Sequence, residues 1–211
     1  MKKKIIIIGS GGHAKSVIDI LHDMKNIVIV GITSSSLPVG SFFSGYKVLG
    51  NDSILSEYAK KKGYYAAMGI GGYKDNDLRK KVYEDSVKAG IPFINVIHPS
   101  ACISKTAKLG SAITIFRGVI INTEVIIGDN SIVATASSID HETEIGNHVL
   151  VSAGVTIGGY TKIGNESLLA LGSKVISGVK IGNKVLVAAG AVVVNDIADH
   201  KKVFGVPAKS K

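Results

Sequence analysis

Asp140-His141-Glu142 is the stretch of this 211-residue chain best equipped for proton transfer. An imidazole that passes one N–H to a carboxylate keeps its other nitrogen as a proton acceptor near neutral pH. His141 has a carboxylate on each side, and Ile139 before it fixes the group at a corner of the repeat described below. The competing reading is a corner histidine tolerated for its readiness to take a positive φ. Among the other histidines, His22 reads as helix surface, His98 as a cap on the repeat region and His200 as part of a polar segment. His148 follows His141 by seven residues and Cys102 lies far upstream. Neither supplies the three convergent ligands of a zinc site, so no metal is expected. The column Asn130, His148, Glu166, Lys184 reads as solvated surface.

A second candidate lies near the start. Gly9-Ser10-Gly11-Gly12-His13-Ala14-Lys15 follows an apolar strand and opens a helix. That order aims backbone N–H groups and the helix dipole at an anion. Gly9 and Gly11 give half of a dinucleotide fingerprint, but Ala14 stands at its third glycine. The second strand ends in Gly31-Ile32-Thr33-Ser34-Ser35-Ser36, with no acid for a ribose. The open readings are an anion or nucleotide-sugar site, a structural turn, or a nicotinamide dinucleotide site; the first is preferred. Gly69-Ile70-Gly71-Gly72 is a further loop at the same sheet edge.

The elements that must position these groups follow two rhythms. Stepping by six from Ile97 to Val193 meets only Ile, Leu or Val. Gly110, Gly128, Gly146, Gly164 and Gly182 add a period of eighteen, and Asp129, Asn147, Asn165 and Asn183 follow four of them. Glycine, Asn and Asp accept positive φ cheaply, so these pairs are expected to turn a corner once per coil. The pattern predicts a parallel β-helix of triangular coils, with small residues two before each aliphatic step filling its interior. Three columns face outward, and the column Ile132, Leu150, Leu168, Leu186 is wholly apolar. Such a face needs a cover, either the C-terminal segment folded back over it or a subunit interface, of which the interface is preferred.

Residues 1–95 instead alternate strands with helices and read as a small Rossmann-like α/β domain. Strands are predicted at 4–8, 27–32, 64–68 and 93–96, with helices at 13–24, 53–62 and 77–89. The β-helix is assigned to 96–195 and a tail to 196–211.

Composition bounds the rest. Mean hydropathy is +0.31, with 25 glycines and no tryptophan, yet no apolar run approaches the ~20 residues that span a bilayer. The lysines ahead of Ile5 imitate a signal peptide, but the apolar run stops at Gly9, so it reads as a first strand. One cysteine, Cys102, allows no internal disulfide and suits a cytoplasmic protein. The net charge of +9 is spread without a basic block; no nucleic-acid or membrane partner is expected.

Together the glycine-rich loop through His13, the six-residue repeats, Asp140-His141-Glu142 and the ending Gly205-Val206-Pro207-Ala208-Lys209 resemble the sugar O-acyltransferases of the sialic acid O-acetyltransferase type. Close relatives of these N-acetylate UDP-4-amino-sugars. The resemblance spans nearly the whole chain. It implies a left-handed β-helix, a homotrimer, and acetyl-CoA as acyl donor between neighbouring prisms. It also implies His141 as general base oriented by Glu142, cofactor contacts at Gly159, Leu171 and Ala189, and sugar-nucleotide contacts at Gly11, Gly12 and His13. The chain departs from such relatives at Leu150 and Ala134, which replace a His and an Asn, and at Thr33–Ser36, which lacks their uridine-binding acids. The expected activity is acetyl transfer to a sugar amine or hydroxyl in surface glycan synthesis. A non-catalytic sugar-binding or nucleotide-binding homologue and a metal-dependent hydratase on the same prism are the rivals.

Overall fold

Four consecutive isoleucines, Ile5–Ile8, are completely buried, as a strand must be when both faces of its sheet are covered. They belong to the first of two units in a computed structural model that describes residues 2–72 and 76–210. Contacts divide the chain between His98 and Pro99.

The first unit runs β1 (Lys3–Ile8), α1 (Gly12–Asp23), β2 (Ile27–Thr33), β3 (Phe42–Phe43), β4 (Tyr46–Gly50), α2 (Leu55–Ala59), β5 (Tyr64–Met68) and α3 (Asp77–Lys88). The sheet order is β3-β4-β2-β1-β5. Strands β1, β2, β4 and β5 are parallel, and β3 turns back on β4. Ile6 and Ile8 pack with Leu55, Met68 and Ile91. Ile5 and Ile7 point to the opposite face, where α1 buries Val17, Ile18, Ile20 and Leu21.

Two features of this unit differ from the sequence expectation. The β3–β4 hairpin was not foreseen, although Ser44 and Gly45, at φ 48° and 84°, form the doubly left-handed turn that hairpins favour. The strand expected at 93–96 is reduced in this sheet to one bridge between Phe93 and Ala66. Pro92 can give Ala66 a carbonyl but has no N–H to continue the ladder.

The second unit is a prism of three parallel sheets built from two-residue strands. Lys108, Ile126, Glu144, Lys162 and Lys180 pair in one ladder, each eighteen residues from the next. Ile120, Ser138, Thr156, Lys174 and Val192 form another, and Thr114, Ile132, Leu150, Leu168 and Leu186 the third. From Ile115 to Val193 every sixth residue is buried, each at a gain of roughly 1.5–3 kcal/mol over exposure. Serines and threonines inside the prism are tolerated because their hydroxyls donate to corner carbonyls. Ser137 donates to Ser152 O at 2.8 Å, Thr143 to Gly158 O at 3.1 Å and Ser167 to Gly182 O at 2.8 Å.

The corner motif works differently from its expected role. Positive φ falls on the residue after each Gly-Asn/Asp pair, Asn130, His148, Glu166 and Lys184, and on Ala112 after Gly110-Ser111. The glycines are required for space. A Cβ on Gly164 would lie 2.6 Å from the Asn183 nitrogen and from the Gly182 carbonyl carbon. The Asn/Asp side chains form a ladder along the prism. Each Oδ1 accepts the backbone N–H one coil earlier, Asn147 from Asp129 at 2.8 Å, Asn165 from Asn147 at 2.7 Å and Asn183 from Asn165 at 2.8 Å.

The apolar column is likewise not the open face that was expected. Ile132, Leu150 and Leu168 are already buried, packed on one another with Phe116 and Ala170 beside them. Nor is the Asn130 column all solvated, since Asn130 is buried and its amide contacts His148 Nδ1 at 3.0 Å. Residues after 195 continue the stack. Lys202–Phe204 pairs in parallel with Leu186–Val187, and Lys209–Ser210 folds back on it antiparallel, covering a sheet edge that would otherwise invite pairing with another chain. Among the described residues no helix is long and apolar enough to cross a membrane.

Replacing Gly164 by Ala forces backbone out of register. It should cost about 1–3 kcal/mol, read as a lower midpoint in urea unfolding; an unchanged midpoint would remove the steric account of the corner glycines.

Candidate functional site

His141 sits at a prism corner whose two acids have separate tasks. Asp140 Oδ1 accepts the His141 backbone N–H at 2.8 Å and the Asn122 amide at 3.0 Å, so this carboxylate shapes the turn. Glu142 takes the left-handed conformation at φ 55°; His141 is not among the residues with positive φ, so tolerance of that conformation does not explain the imidazole. Glu142 Oε1 lies 3.7 Å from His141 Nδ1, with both side chains partly exposed. This is an ion-pair separation, longer than a hydrogen bond.

The eighteen-residue register stacks Gly159 on His141 and Tyr160 on Glu142. A Cβ on Gly159 would come within 2.9 Å of both Cε1 and Nε2 of His141, so the missing side chain is what lets the imidazole lie where it does. The Tyr160 ring meets the His141 ring edge-on at 4.9 Å between centroids, an arrangement favoured by aromatic quadrupoles. Hydrogen bonding to Glu142, and then the charge of Glu142, hold the Tyr160 phenol above the usual tyrosine range. The phenol therefore keeps its proton and donates it towards Glu142. Tyr160 was missed in the sequence, although adding eighteen to 142 finds it.

Leu171 and Ala189 lie on another corner. Ala153, Leu171 and Ala189 stack there, with Gly172 N–H donating to Ala153 O and Gly190 N–H to Leu171 O. One prism thus brings Gly159 to His141 and leaves Leu171 and Ala189 apart from them. Leu150 packs in the apolar column, and Cys102 is exposed with a free thiol.

In the first unit, the carboxyl ends of β1, β2 and β5 surround a cavity of about 470 Å³, lined by Gly9–His13, Ser34, Ser35, Asp52, Gly69–Gly72, Leu78 and Val82. Gly9 needs its glycine, with φ at 101° and Ile70 close by. Gly11 and Gly12 have open space where a Cβ would stand. Helix α1 has no side-chain cap and no acid in its first turn, so its N–H groups face the cavity unscreened. His13 lies against Gly71 with Nε2 shut off from solvent. Burial, and then the charge of Arg79, push its pKa down to about 3. It therefore lines the site as a neutral ring. Arg79 is itself buried and donates to the Ile70 carbonyl, which ties α3 to the loop after β5. His98, expected as a cap on the coils, instead meets Asp23 at the end of α1 at 3.0 Å.

The chain is similar to several known proteins. A family model for the PglD N-terminal domain matches residues 4–86. The crystal structure of a His-to-Asn variant of perosamine N-acetyltransferase from Caulobacter crescentus, in complex with CoA and GDP-perosamine, is 33% identical; the match covers 99% of this chain and 96% of that one, with a TM-score of 0.91. The chain belongs to the PglD-like sugar acetyltransferases. The prism is a left-handed parallel β-helix. The acetyltransferase domain of PglB from Neisseria gonorrhoeae, in complex with acetyl coenzyme A, is 28% identical over the full length of both chains, with a TM-score of 0.89. An uncharacterized protein of Acanthamoeba polyphaga mimivirus is 30% identical over 119 residues, a match covering 56% of this chain and 21% of that protein.

Gly159→Ala should displace the imidazole and lower kcat/KM roughly 100-fold, assayed below the variant's own thermal midpoint because the added Cβ also crowds the His141 carbonyl oxygen at 3.1 Å; full activity would place the chemistry elsewhere. His13 yields a pH prediction. Its pKa lies lower in the folded chain than in the unfolded one, where it is near 6.5. Its contribution to stability is complete above that value and falls away as pH drops towards 3, by up to about 1.4 kcal/mol per pH unit. Urea unfolding at several pH values should show this slope in wild type and a shallower one in His13→Gln.

Proposed function

We propose that this chain transfers the acetyl group of acetyl-CoA to an amino or hydroxyl group of a nucleotide-linked sugar, with His141 as general base. The observation that carries the reading is the His141 corner, where an accessible imidazole lies over a glycine with Glu142 beside Nδ1. The acceptor attacks the thioester carbonyl while Nε2 takes its proton. A backbone N–H steadies the oxyanion. Collapse of the tetrahedral species expels the CoA thiolate, which leaves as the thiol once protonated. Glu142 stabilises the imidazolium formed on the way. Asp140, engaged with its own turn, is not needed in this scheme.

Two further points support the reading. Relatives that share the whole architecture are described with CoA or acetyl-CoA, and one of them with GDP-perosamine. The α/β unit also offers an uncapped helix start beside a cavity of nucleotide dimensions, to which Gly11, Gly12 and His13 are assigned as substrate contacts. We assign Gly159, Leu171 and Ala189 to acetyl-CoA. Leu171 and Ala189 lie on a different corner from Gly159, so a cofactor held between two prisms would meet Gly159 of one chain and Leu171 and Ala189 of its neighbour. This supports a homotrimer with the cofactor between prisms, working in the cytoplasm on glycan precursors. The division into a substrate domain (1–95), a β-helix (96–195) and a tail (196–211) is part of the same proposal.

Acetyl-CoA turnover on a panel of nucleotide-linked amino-sugars tests the assignment. His141→Ala should lose roughly 10²- to 10⁴-fold in kcat. Equal rates in the two proteins would exclude His141 as the base.

A further inference from the structure

The acid missing from the end of β2 is supplied by another strand. Asp52 follows β4 and opens the short 3₁₀ turn Asp52–Ile54. Its Oδ1 accepts the hydroxyl of Thr33, the last residue of β2, at 2.5 Å, and Thr33 is completely buried. The carboxylate is thereby fastened to the sheet position where doubly wound nucleotide-binding folds carry an acid for the ribose hydroxyls. It is the only acidic group among the described residues lining the cavity.

Two serines of the cavity wall are engaged elsewhere. Ser34 Oγ accepts N–H groups from Ser36 at 3.2 Å and Leu37 at 3.0 Å, and shares a hydrogen bond with Ser10 Oγ at 2.7 Å. Ser34 therefore holds the loop after β2 closed on the glycine-rich turn. Asp52 Oδ2 has no such partner among the described residues. An acid next to a diphosphate would repel it, whereas a carboxylate beside a vicinal diol accepts two O–H bonds. Ile70, Leu78 and Val82 give the same cavity an apolar wall, suited to the uncharged faces of a nucleoside and not to its phosphates.

We propose that Asp52, positioned by Thr33, binds the ribose hydroxyls of the substrate and makes the pocket selective for ribonucleoside diphosphate sugars. The proposal rests on the nucleotide-sugar reading above and adds the residue that recognises the nucleoside.

Calorimetric titration of the full chain with GDP, UDP and their 2′-deoxy forms tests it. Wild type should bind its preferred ribonucleotide roughly 10- to 100-fold tighter than the deoxy form, the range of a charge-assisted hydrogen bond. In Asp52→Asn that ratio should collapse towards one. Thr33→Val, which keeps the charge but removes its tether, should give an intermediate ratio, and urea unfolding of both variants verifies that they fold. Equal binding of ribo and deoxy forms by wild type overturns the proposal alone. So does a ratio preserved in Asp52→Asn, including the case where that variant changes only the preference between GDP and UDP, because the carboxylate then reads the base. If none of the four nucleotides binds wild type, the nucleotide-sugar reading falls as well.

Discussion

Each prism strand hands backbone N–H groups to carbonyls seventeen residues further on, which pairs residues eighteen apart, and this spacing fixes the rest of the unit. Ile126, Glu144 and Lys162 pair in strict succession because the coils between them have equal length. With three short strands per coil, no strand is long enough to hold its own register. Register is held at the corners instead, where glycines permit close approach and an Asn or Asp oxygen from the next coil meets each N–H. These bonds lie at exposed corners, where water can replace a lost partner, so the ladder acts more as a specification of coil length than as a source of stability.

The proposed reaction centre uses the same stacking for a different end. Gly159 leaves room for the imidazole, and Tyr160, one coil beyond Glu142, places a ring against it. Corner positions suit catalysis here because side chains at them leave the packed interior, while the backbone beneath stays anchored through Tyr160 N–H to His141 O at 3.0 Å. The α/β unit solves its own positioning problem through burial on both faces of the sheet, which sets β1, β2 and β5 in parallel so that their carboxyl ends open on one cavity.

Periodic features were legible in the sequence and close-packed details were not. The aliphatic step of six named the prism, and the isoleucine run named β1, because both are one-dimensional records of burial. The same arithmetic would have found Tyr160. Gly164 was recognised as a corner glycine but for the wrong cause, since a steric clash with the next coil leaves no mark on the local sequence. The column Ile132, Leu150, Leu168 was recognised as outward-facing, yet its burial comes from side chains stacked on one another and on Phe116, which composition alone does not announce. Asp52 stayed hidden because nineteen residues separate it from Thr33, and only the strand order brings β4 beside β2.

The Asn/Asp ladder also has a consequence for how such a chain can change. It starts with Ser111 N–H donating to Asp129 and ends with Asn183 N–H donating to Asp199, running in one direction with no gap. From Ser111 to Asn183 every rung spans eighteen residues, so a segment inserted or lost there leaves each later acceptor facing its donor when it is a whole number of coils; the last rung spans sixteen and marks where the strict pitch ends. Within those rungs, growth or shrinkage of the prism is quantised, and smaller changes of length are confined to its end, where the last coil is already two residues shorter.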